Sequence, residues 1–578
     1  MRRPIKKLAP IQFAYMIDYQ PVKYVHSHSE YEILYFHRGA SKYKLGEQIL
    51  ELKPGDLLLM NGMTLHGPQV QNGESYCRTV IHFDPAYIDE FTRFPYTLNV
   101  RDPFLRSGNT KITLCGENRL RFERQLAEMS GLHHQTHFAA HCRFQTLFLD
   151  LLFLIREIYE EHAGLIADQP LNAKTVKEHH VRDLFLYLEE HYTRDFDLRS
   201  LEVKMHVNKY YLSKLFKEMT GMTIFQYVML KRIHQAKARL LLRPGQSVTE
   251  IGVESGFKQP AHFTRAFKAF TGSTPTQFRN NNCTILSGAK ERFPVFEQPV
   301  HKPPVRIRYS EDNPAAQGPH LHSLYEIYYF QEGKCRYTIG DHRYELRPGD
   351  VLIMDGSTPH GANPDRNVPY RRTSVHFDPD YAERLCSVFG IDLLKHFRNG
   401  SHRLLRLTAS QQSAIQEKLE TIIALDSQAN DLAFNRLHAL FLDLLLMIHE
   451  ICTISHNQSV NVSRPAKEKI VWEILQFIEH HYREEFRLES LEKKLHLSKN
   501  HLSRIFREVT GIRITEYLNQ RRINQAMVML QSKHKRRTIQ TIGLEIGFKT
   551  HGHFTRVFKQ YTGYSPQQFR QLYIQKTV

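Results

Sequence analysis

The chain contains 578 residues, and this length predicts several domains because an ordinary domain has roughly 100–200 residues. Its hydrophobic content of 41% excludes a largely disordered chain, and its formal net charge of +18 favours a polyanionic partner, with nucleic acid as the leading candidate. Such a charge could equally serve solubility. The positions of the basic residues along the chain have to decide between a nucleic-acid partner and a solubility role.

Seven cysteines occur singly and without a C-x-x-C motif, which is typical of a reducing compartment. The basic N-terminus has no apolar segment of a secretory signal, and we find no apolar run long enough to span a bilayer. The sequence therefore predicts a soluble cytoplasmic protein without a membrane segment.

The chain is an internal duplication. The segment YCRTVIHFDP at Tyr76 returns as YRRTSVHFDP at Tyr370, an offset of 294 residues. The same offset relates HSHSEYE at His26 to HLHSLYE at His320, and small insertions or deletions shift it to 290 or 291 further along. Two copies of about 290 residues indicate a duplicated multidomain unit rather than a solenoid, so each copy is expected to fold by itself.

Each copy begins with short alternating runs of β-branched and aromatic residues between turn residues, which predict a small antiparallel β barrel or sandwich. A long apolar helical pattern follows, FQTLFLDLLFLIREIYEE from Phe144 and LHALFLDLLLMIHEI from Leu437. So broad an apolar face needs a partner, which could be the preceding helix of the same copy, the equivalent helix of the other copy, or both.

Two short helices joined by a tight turn are predicted next. Leu198 and Leu201 precede a break at Val207, and Asn208 is expected to cap a helix that directs Leu212 and its neighbours inward. The outward face of that helix is basic and polar. This pattern is typical of a helix-turn-helix motif, whose second helix enters the major groove of DNA.

The same pattern recurs after a helix predicted over Tyr227–Leu242. A turn at Gly256 precedes a helix with Pro260 in its first turn and with Phe263 and Phe267 directed inward. Two such motifs on one connecting helix can read adjacent major grooves about 34 Å apart.

The segments GFKQPAHFTRAFKAFTGSTPTQFR and GFKTHGHFTRVFKQYTGYSPQQFR resemble the C-terminal signature of the AraC/XylS family of bacterial regulators. LSKLFKEMTG and LSRIFREVTG resemble that family's first motif, and the N-terminal half of each copy resembles its cupin-type sensor domain. The resemblance covers nearly the whole chain. It implies two helix-turn-helix motifs per copy, a sensor that often takes a small molecule, and action on promoters as an activator or repressor.

The predicted fold class is therefore α+β multidomain, with two cupin-like β barrels, each followed by a helical segment and an all-α double helix-turn-helix domain. The predicted domains are two cupin-like sensors at 1–110 (sensor 1) and 304–404 (sensor 2), helical connectors at 111–165 and 405–457, a linker at 281–303, and two DNA-binding domains at 179–280 (reader 1) and 467–578 (reader 2).

The recognition helices, carried over by position, are predicted at Lys209–Lys217, Ala261–Lys268, Lys499–Arg507 and Gly552–Lys559. Lysine and arginine mostly contact phosphates, whereas Asn500, Arg504, Arg265 and Arg556 are expected to reach base edges. A solvated helix face explains any one of these residues equally well, but four such faces in matched contexts favour DNA. The predicted DNA-contacting residues are Lys209, Tyr210, Ser213, Lys214, Lys217, His262, Thr264, Arg265, Lys268, Lys499, Asn500, Ser503, Arg504, Arg507, His553, Thr555, Arg556 and Lys559.

The two copies differ where DNA specificity is expected. Tyr210-Tyr211 aligns with Asn500-His501, and Gln259-Pro260 aligns with Thr550-His551. Unlike half-sites are therefore predicted.

Both copies depart from the family in the first motif of each reader. Glu202 and Glu492 stand where a small alanine usually packs between the helices, and a carboxylate buried there without a partner would be costly. The second motifs keep the small residues Gly252 and Gly543 at this contact.

The spacing H-x-H-x3-E-x6-G runs from His26 to Gly39 and again from His320 to Gly333. Alternate strand residues point into a barrel, so two histidines and a glutamate could converge with a later histidine on a metal, as in cupin metalloenzymes. A cupin metalloenzyme fused to DNA-binding domains is therefore the alternative function.

The resemblance instead implies that regulators with this sensor fold keep such residues as pocket or structural groups. We therefore predict an effector pocket without a bound metal, a cofactor or a catalytic residue. Its predicted residues are His26, His28, Glu32, His66, His320, His322, Glu326 and His360. In the HFDP segments, His82 and His376 are interpreted as structural, with Asp84 and Asp378 as helix caps.

The predicted function is a sequence-specific DNA-binding transcription regulator that responds to a small-molecule effector and is not an enzyme. Its predicted partners are double-stranded promoter DNA and, for an activator, RNA polymerase. Because one chain presents four helix-turn-helix motifs, it could act as a monomeric pseudo-dimer.

Overall fold

A computed structural model describes most of the chain. The described residues are 10–18, 25–28, 30–39, 41–46, 48–69, 76–105, 109–162, 176–194, 197–243, 245–283, 305–310, 322, 324–340, 342–356, 358, 360–365, 367–398, 402–454, 466–510, 512–531, 538–562 and 564–575.

Sensor 1 contains two antiparallel sheets that face each other. Its strands are β1 (Ile11–Ile17), β2 (Tyr31–Gly39), β3 (Ser41–Leu45), β4 (Gln48–Leu52), β5 (Asp56–Met60), β6 (His66–Gln69), β7 (Tyr76–Phe83) and β8 (Thr110–Thr113). One sheet has the order β1-β7-β2-β5-β8 and the other β4-β3-β6. Side chains from both sheets, among them Phe36, Tyr43 and Met60, are buried in one core. The predicted antiparallel β fold is confirmed, but the described strands form two separate sheets rather than the closed barrel of the predicted fold class.

Sensor 2 repeats this topology. Its strands are β9 (Val305–Ser310), β10 (Tyr325–Glu332), β11 (Cys335–Ile339), β12 (His342–Leu346), β13 (Val351–Met354), β14 (His360–Pro364), β15 (Arg371–Phe377) and β16 (His402–Leu405). Their orders, β16-β13-β10-β15-β9 and β12-β11-β14, correspond strand by strand to those of sensor 1.

Helices form the rest of each copy. The first copy contains α1 (Pro85–Phe91), α2 (Asp102–Leu105), α3 (Gly116–His133), α4 (Phe138–Glu161), α5 (Val176–His191), α6 (Leu198–Met205), α7 (Lys209–Thr220), α8 (Ile224–Leu242), α9 (Val248–Glu254), α10 (Pro260–Thr271) and α11 (Pro275–Cys283). The second contains α12 (Pro379–Cys386), α13 (Ala409–Asp426), α14 (Asp431–Ile454), α15 (Ala466–His481), α16 (Leu488–Leu495), α17 (Lys499–Thr510), α18 (Ile514–Gln531), α19 (Ile539–Glu545), α20 (His551–Thr562) and α21 (Pro566–Gln575), with short 3-10 turns at Ser387–Phe389 and Leu393–His396.

The chain forms two compact units whose boundary does not coincide with the boundary between the copies. The first unit comprises 1–298 together with 383–393 and 420–450, and the second comprises 299–382, 394–419 and 451–578. Most of α14 therefore belongs to the unit that holds the first copy.

The long helices α4 and α14 supply most of the buried apolar side chains outside the sensors and readers. Helix α4 packs on α3, where the Gln125 amide donates to the Leu147 carbonyl at 2.9 Å. It also meets α14, where the Arg436 guanidinium lies 2.9 Å from a carboxylate oxygen of Asp150. Both partners that the sequence left open are therefore present.

One expectation about membranes needs correction. Two helical segments, Phe138–Glu161 and Asp431–Thr453, are long and apolar enough to cross a membrane by length and composition alone. However, 78% and 83% of their most apolar windows are buried inside the protein. Their apolar residues are explained by packing, as expected for core helices.

The packing within the second motif of each reader explains why Gly252 and Gly543 stand at the contact between its two helices. A Cβ added to Gly252 would lie 2.7 Å from Cδ1 of Phe263, and one added to Gly543 would lie 2.9 Å from Cδ1 of Phe554. Both rings are buried. Helix α19 can therefore approach α20 this closely only because residue 543 has no side chain. The same holds for α9 and α10 at residue 252.

We predict that Gly543→Ala destabilises this helix pair by about 1–3 kcal/mol, because the added methyl group overpacks a buried ring. Amide hydrogen exchange in Ile539–Glu545 and His551–Thr562 measures the local free energy of opening. Gly552→Ala is the matched control, since its Cβ would meet nothing within 4 Å. Equal exchange rates in the two variants would contradict the contact.

Candidate nucleic-acid interface and sensor sites

The predicted DNA-contacting residues all lie on the recognition helices. Those of reader 1 are on α7 and α10, and those of reader 2 are on α17 and α20. Every one of the 18 is exposed or partly exposed, whereas Leu212, Phe263, Leu502 and Phe554 on the opposite faces are buried. The amphipathic pattern is confirmed, and the basic face of each helix is accessible.

The turn before α7 and α17 has the same construction in both readers. His206 and His496 both adopt a left-handed conformation with φ of 53°. The Asn208 side chain accepts the Tyr210 backbone N–H at 2.9 Å, as predicted for a cap. The chain therefore turns sharply between the two helices of the motif.

The glutamates in place of the usual alanine are partly exposed and hydrogen-bonded. A carboxylate oxygen of Glu492 accepts a hydrogen bond from the backbone N–H of Lys499 at 2.6 Å. A carboxylate oxygen of Glu202 accepts one from the backbone N–H of Lys209 at 3.4 Å. Each carboxylate lies at the N-terminus of a recognition helix, where the helix dipole favours negative charge. The expected cost of a buried unpaired carboxylate does not arise.

One arginine in each reader ties the helix that precedes the first motif to the connecting helix, and the sequence did not predict it. Arg232 on α8 donates from Nε to the Tyr192 carbonyl at 2.7 Å, and Arg522 on α18 donates to the Tyr482 carbonyl at 2.7 Å. These carbonyls belong to the C-terminal ends of α5 and α15. The shared segment R-I-x-Q-A in the two connecting helices was the available signal.

The charged side chains of the recognition helices form only weak contacts within the protein. Lys214 lies 3.9 Å from Glu218, and Arg504 lies 3.9 Å from Glu508, in side chains that are largely exposed. Exposed pairs of this kind contribute about 0–1 kcal/mol. They can therefore exchange these partners for DNA phosphates at little cost.

In each sensor three imidazoles converge on one buried carboxylate. Nε2 of His28, His66 and His82 lies 3.0, 3.0 and 3.1 Å from the same oxygen, Oε2 of Glu32. In sensor 2 the corresponding distances from His322, His360 and His376 to Oε2 of Glu326 are 3.2, 3.2 and 3.4 Å.

The structure changes the composition of the predicted pocket. His26 adjoins His66, with ring centroids 4.7 Å apart, but the third imidazole on the carboxylate is His82. The register of β2 with β7 pairs Glu32 with His82, and that of β10 with β15 pairs Glu326 with His376. Strand register could not be read from H-x-H-x3-E spacing, although the repeated HFDP segment was a signal. His320 lies outside the described residues.

The carboxylates at the centre of these clusters are held in the ionised form. Burial alone would raise the pKa of Glu32, but the surrounding histidines outweigh it and lower the pKa well below its usual range. Glu326 behaves in the same way. Burial lowers the pKa of His322 to about 3, so this imidazole is neutral at physiological pH.

The chain matches two protein-family models, each of them twice. A helix-turn-helix domain matches residues 202–281 and 491–572, and an AraC-like ligand binding domain matches residues 16–108 and 303–431. The chain belongs to the AraC family of transcription regulators. It is a sequence-specific DNA-binding regulator with a ligand-binding domain in each copy.

Relatives agree with this assignment. The chain is 31% identical over 221 residues to the HTH-type transcriptional regulator YbfI of Bacillus subtilis, covering 37% of this chain and 73% of YbfI. It is 28% identical over 253 residues to the Msm operon regulatory protein of Streptococcus mutans, covering 44% of this chain and 86% of that protein. Neither relative gives support to the alternative of a cupin metalloenzyme.

Among solved structures the chain is similar to apo ToxT K231A from Vibrio cholerae. The identity is 13% and the TM-score 0.32, with 46% of this chain and 97% of that chain covered. This likeness adds nothing to the family assignment.

In this AraC-family chain, sensor 1 is joined to reader 1 by buried charges. Asp84 caps α1 by accepting the Ala86 N–H at 3.0 Å, and its other oxygen lies 2.8 Å from Nδ1 of His234 on α8. Glu90, on the same helix α1, lies 2.6 Å from Arg243. Asp378 likewise accepts the Tyr381 N–H at 2.9 Å, so both predicted caps are confirmed.

Glu189 on α5 is the centre of a second group of charges between sensor 1 and reader 1. It accepts hydrogen bonds at 2.7 Å from Arg101 of sensor 1 and from Lys231 and Tyr227 of α8. Burial alone would raise the pKa of Glu189, but the charges of Lys231 and Arg101 outweigh it and lower the pKa to about 2.

We predict that Glu189→Gln weakens this contact by about 3–5 kcal/mol at neutral pH, because Lys231 loses its buried counter-charge. A depressed pKa contributes stability that is fully present above the ordinary value of 4.5 and is lost as the pH falls towards 2. The difference in the free energy of opening between the variant and the parent protein should therefore be constant above pH 4.5 and shrink below it.

Hydrogen exchange in Ile224–Leu242 and Pro85–Phe91 reports the opening of this contact. Glu190→Gln is the matched control, because the Glu190 side chain is 78% exposed and should change the exchange little. A pH-independent difference between Glu189→Gln and the parent protein would count against the ionic origin of the contact.

Proposed function

We propose that this regulator reads an extended promoter site with four recognition helices of a single chain, and that a small-molecule effector bound in the sensors controls it. The observation that supports this proposal most strongly is the contact between α4 and α14, the equivalent helices of the two copies. It makes one chain the equivalent of a dimer.

The contact between these helices is reciprocal. Arg436 lies 2.9 Å from Asp150 and 2.7 Å from Glu157. Its equivalent, Arg143, lies 2.9 Å from Asp443 and 3.5 Å from Glu450. Both helices therefore present the same spacing, R-x6-D-x6-E, and each arginine bridges the two carboxylates of the other helix.

Such a pattern is typical of an interface with two-fold symmetry, in which the same surface patch of each subunit contacts its copy on the other. Here the two patches belong to one chain. We therefore infer that the duplication fused the two subunits of a symmetric dimer, and that the chain is a monomer in solution. Linking the two halves turns the second DNA-binding event into an intramolecular one.

We predict a solution mass of 68.0 kDa, that of a single chain, by sedimentation analysis at micromolar concentration. Arg436→Ala should lower the free energy of unfolding by about 3–5 kcal/mol, because Asp150 stays buried without its counter-charge. Arg336→Ala is the control, since its pair with Glu345 is exposed. A mass of two chains, or equal stability of the two variants, would contradict a fused dimer.

The DNA site is proposed to contain unlike halves, because exposed residues of the recognition helices differ between the readers. Four motifs on successive helical turns would cover about 40 base pairs. Tyr210, of which 74% is exposed, stands where reader 2 has Asn500. An exposed tyrosine and an asparagine offer different contacts to base edges.

We predict that Arg265→Ala and Arg556→Ala each weaken binding by roughly 5–150-fold, or about 1–3 kcal/mol, if the guanidinium contacts a base. Selection of bound sequences from a random duplex pool should then show relaxed specificity in one half-site for each variant. Arg336→Ala removes the same charge from an exposed position on β11 of sensor 2 and serves as the control. Identical selected motifs for all three variants would refute the assignment of these arginines.

The cellular setting and output are also proposals. Cys77, Cys115, Cys142, Cys335 and Cys452 are free thiols, which supports a cytoplasmic location. If the protein is an activator, RNA polymerase is the further partner we expect. A promoter-fused reporter, assayed with and without the regulator, measures the direction of control.

A further inference from the structure

Two buried polar atoms inside sensor 1 have no hydrogen-bond partner among the residues that the structure describes. They are the hydroxyl of Tyr76 and Nη1 of Arg78, both on β7. Tyr76 is 2% exposed, and the guanidinium carbon of Arg78 lies 4.5 Å from the centre of its ring. A buried donor without a partner costs folding free energy, so two such atoms side by side require an explanation.

The equivalent atoms of sensor 2 are both paired. The hydroxyl of Tyr370 forms a hydrogen bond with the hydroxyl of Tyr328, and Nη1 of Arg372 donates to the hydroxyl of Ser374 at 3.0 Å. Tyr370 and Arg372 stand 294 residues after the tyrosine and the arginine of sensor 1. The shared fold therefore does not force these atoms to stay unpaired.

Sensor 1 lacks both partners because two core positions differ between the copies. Leu34 stands where sensor 2 has Tyr328, and Val80 stands where it has Ser374. Strand register places Leu34 directly opposite Val80 on β2 and β7. Neither side chain can donate or accept a hydrogen bond. A leucine is also smaller than a tyrosine, so sensor 1 has less side-chain volume where the Tyr328 ring reaches Tyr370.

The surroundings of the two unpaired atoms suit an anion with an apolar body. Arg78 has no carboxylate partner among the described residues, and a guanidinium matches the two oxygens of a carboxylate. Apolar side chains such as Phe36, Tyr43 and Met60 are buried in the same core as Tyr76. Small-molecule pockets are typically built in this way, with apolar walls and a few polar groups that fix the orientation of the ligand.

The strand that carries these atoms leads directly to the contact between sensor 1 and reader 1. β7 ends at Phe83, and the next residue, Asp84, lies 2.8 Å from His234 of α8. A ligand bound at Arg78 therefore contacts an element that is continuous with this ionic contact. The residue of reader 2 that aligns with His234 is Asn524, which carries no charge. The first copy thus combines the unpaired atoms with the charged connection to its reader.

We propose that sensor 1 binds one small carboxylate through Arg78 and the Tyr76 hydroxyl, and that sensor 2 has closed the equivalent site with Tyr328 and Ser374. The chain therefore takes one effector molecule rather than two. This inference rests on the proposed role of the sensors as effector-binding domains, and it adds which sensor binds and which chemical class it recognises.

The test titrates the full chain with butyrate, hexanoate and benzoate and follows binding by calorimetry. The neutral amides of the same three skeletons are the controls for charge. We expect at least one carboxylate to bind once per chain. Its amide should bind about 10–150-fold more weakly, because it lacks the charge that strengthens a hydrogen bond to the guanidinium.

Matched variants in the two sensors locate the site. Arg78→Gln should weaken binding of the carboxylate by about 10–150-fold, whereas Arg372→Gln, the same change in sensor 2, should leave it unchanged. The double variant Leu34→Tyr with Val80→Ser gives sensor 1 the two core residues of sensor 2 and should abolish binding.

Thermal unfolding without any ligand tests the unpaired hydroxyl. Tyr76→Phe removes a hydroxyl that has no partner, so the melting temperature should stay the same or rise. Tyr370→Phe leaves the Tyr328 hydroxyl unpaired and should lower the melting temperature by about 2–8 °C.

Binding of two carboxylates per chain, no saturable binding of any of the three, or equal affinities of the parent protein and Arg78→Gln would overturn the proposal. A lower melting temperature of Tyr76→Phe would also overturn it, because the hydroxyl would then be paired, for example with a trapped water. One carboxylate bound per chain with unchanged affinity for DNA would support this site and count against effector control of the regulator. Failure of the site and failure of the proposed function are therefore distinguishable.

Discussion

The ion pairs between α4 and α14 are the constraint on which the arrangement of the first compact unit depends. Two long helices bury apolar faces, and each also buries an arginine and an aspartate that have to be paired. The pairs form only when Arg436 faces Asp150 and Arg143 faces Asp443 at once. Apolar packing alone would tolerate sliding of one helix along the other, whereas these charges select one register.

The readers depend on a similar division between packing and polar contacts. Apolar residues such as Phe216 and Phe267 hold each helix pair together, while Arg232 binds the backbone at the end of α5. The arginine joins α5, the helix before the first motif, to the connecting helix α8 that also supports the second motif. Two recognition helices that read adjacent major grooves have to keep a defined spacing, and this hydrogen bond is one contact that supports it.

The two copies have diverged in the chemistry that joins sensor to reader. In the first copy His234, Lys237 and Arg239 of the connecting helix face Asp84 and Glu90 of the sensor. The aligned residues of the second copy are Asn524, Met527 and Met529, which carry no charge. The histidine clusters, by contrast, have been kept at matched positions, so the two sensors share their polar centre while the sequences at the positions that couple sensor 1 to reader 1 differ.

Patterns within about twenty residues determined much of this protein from sequence alone: the amphipathic recognition helices, the cap at Asn208, Pro260 in the first turn of α10 and the alternating strands. The duplication was read from whole segments that recur about 290 residues apart. These features depend on local backbone geometry and on periodicity. Tertiary structure decided what joins distant segments: His82 beside Glu32 through strand register, Arg436 on Asp150, and Glu189 between Arg101 and Lys231. A buried charge is stable only with its partner, and which residue becomes that partner is settled when distant elements pack.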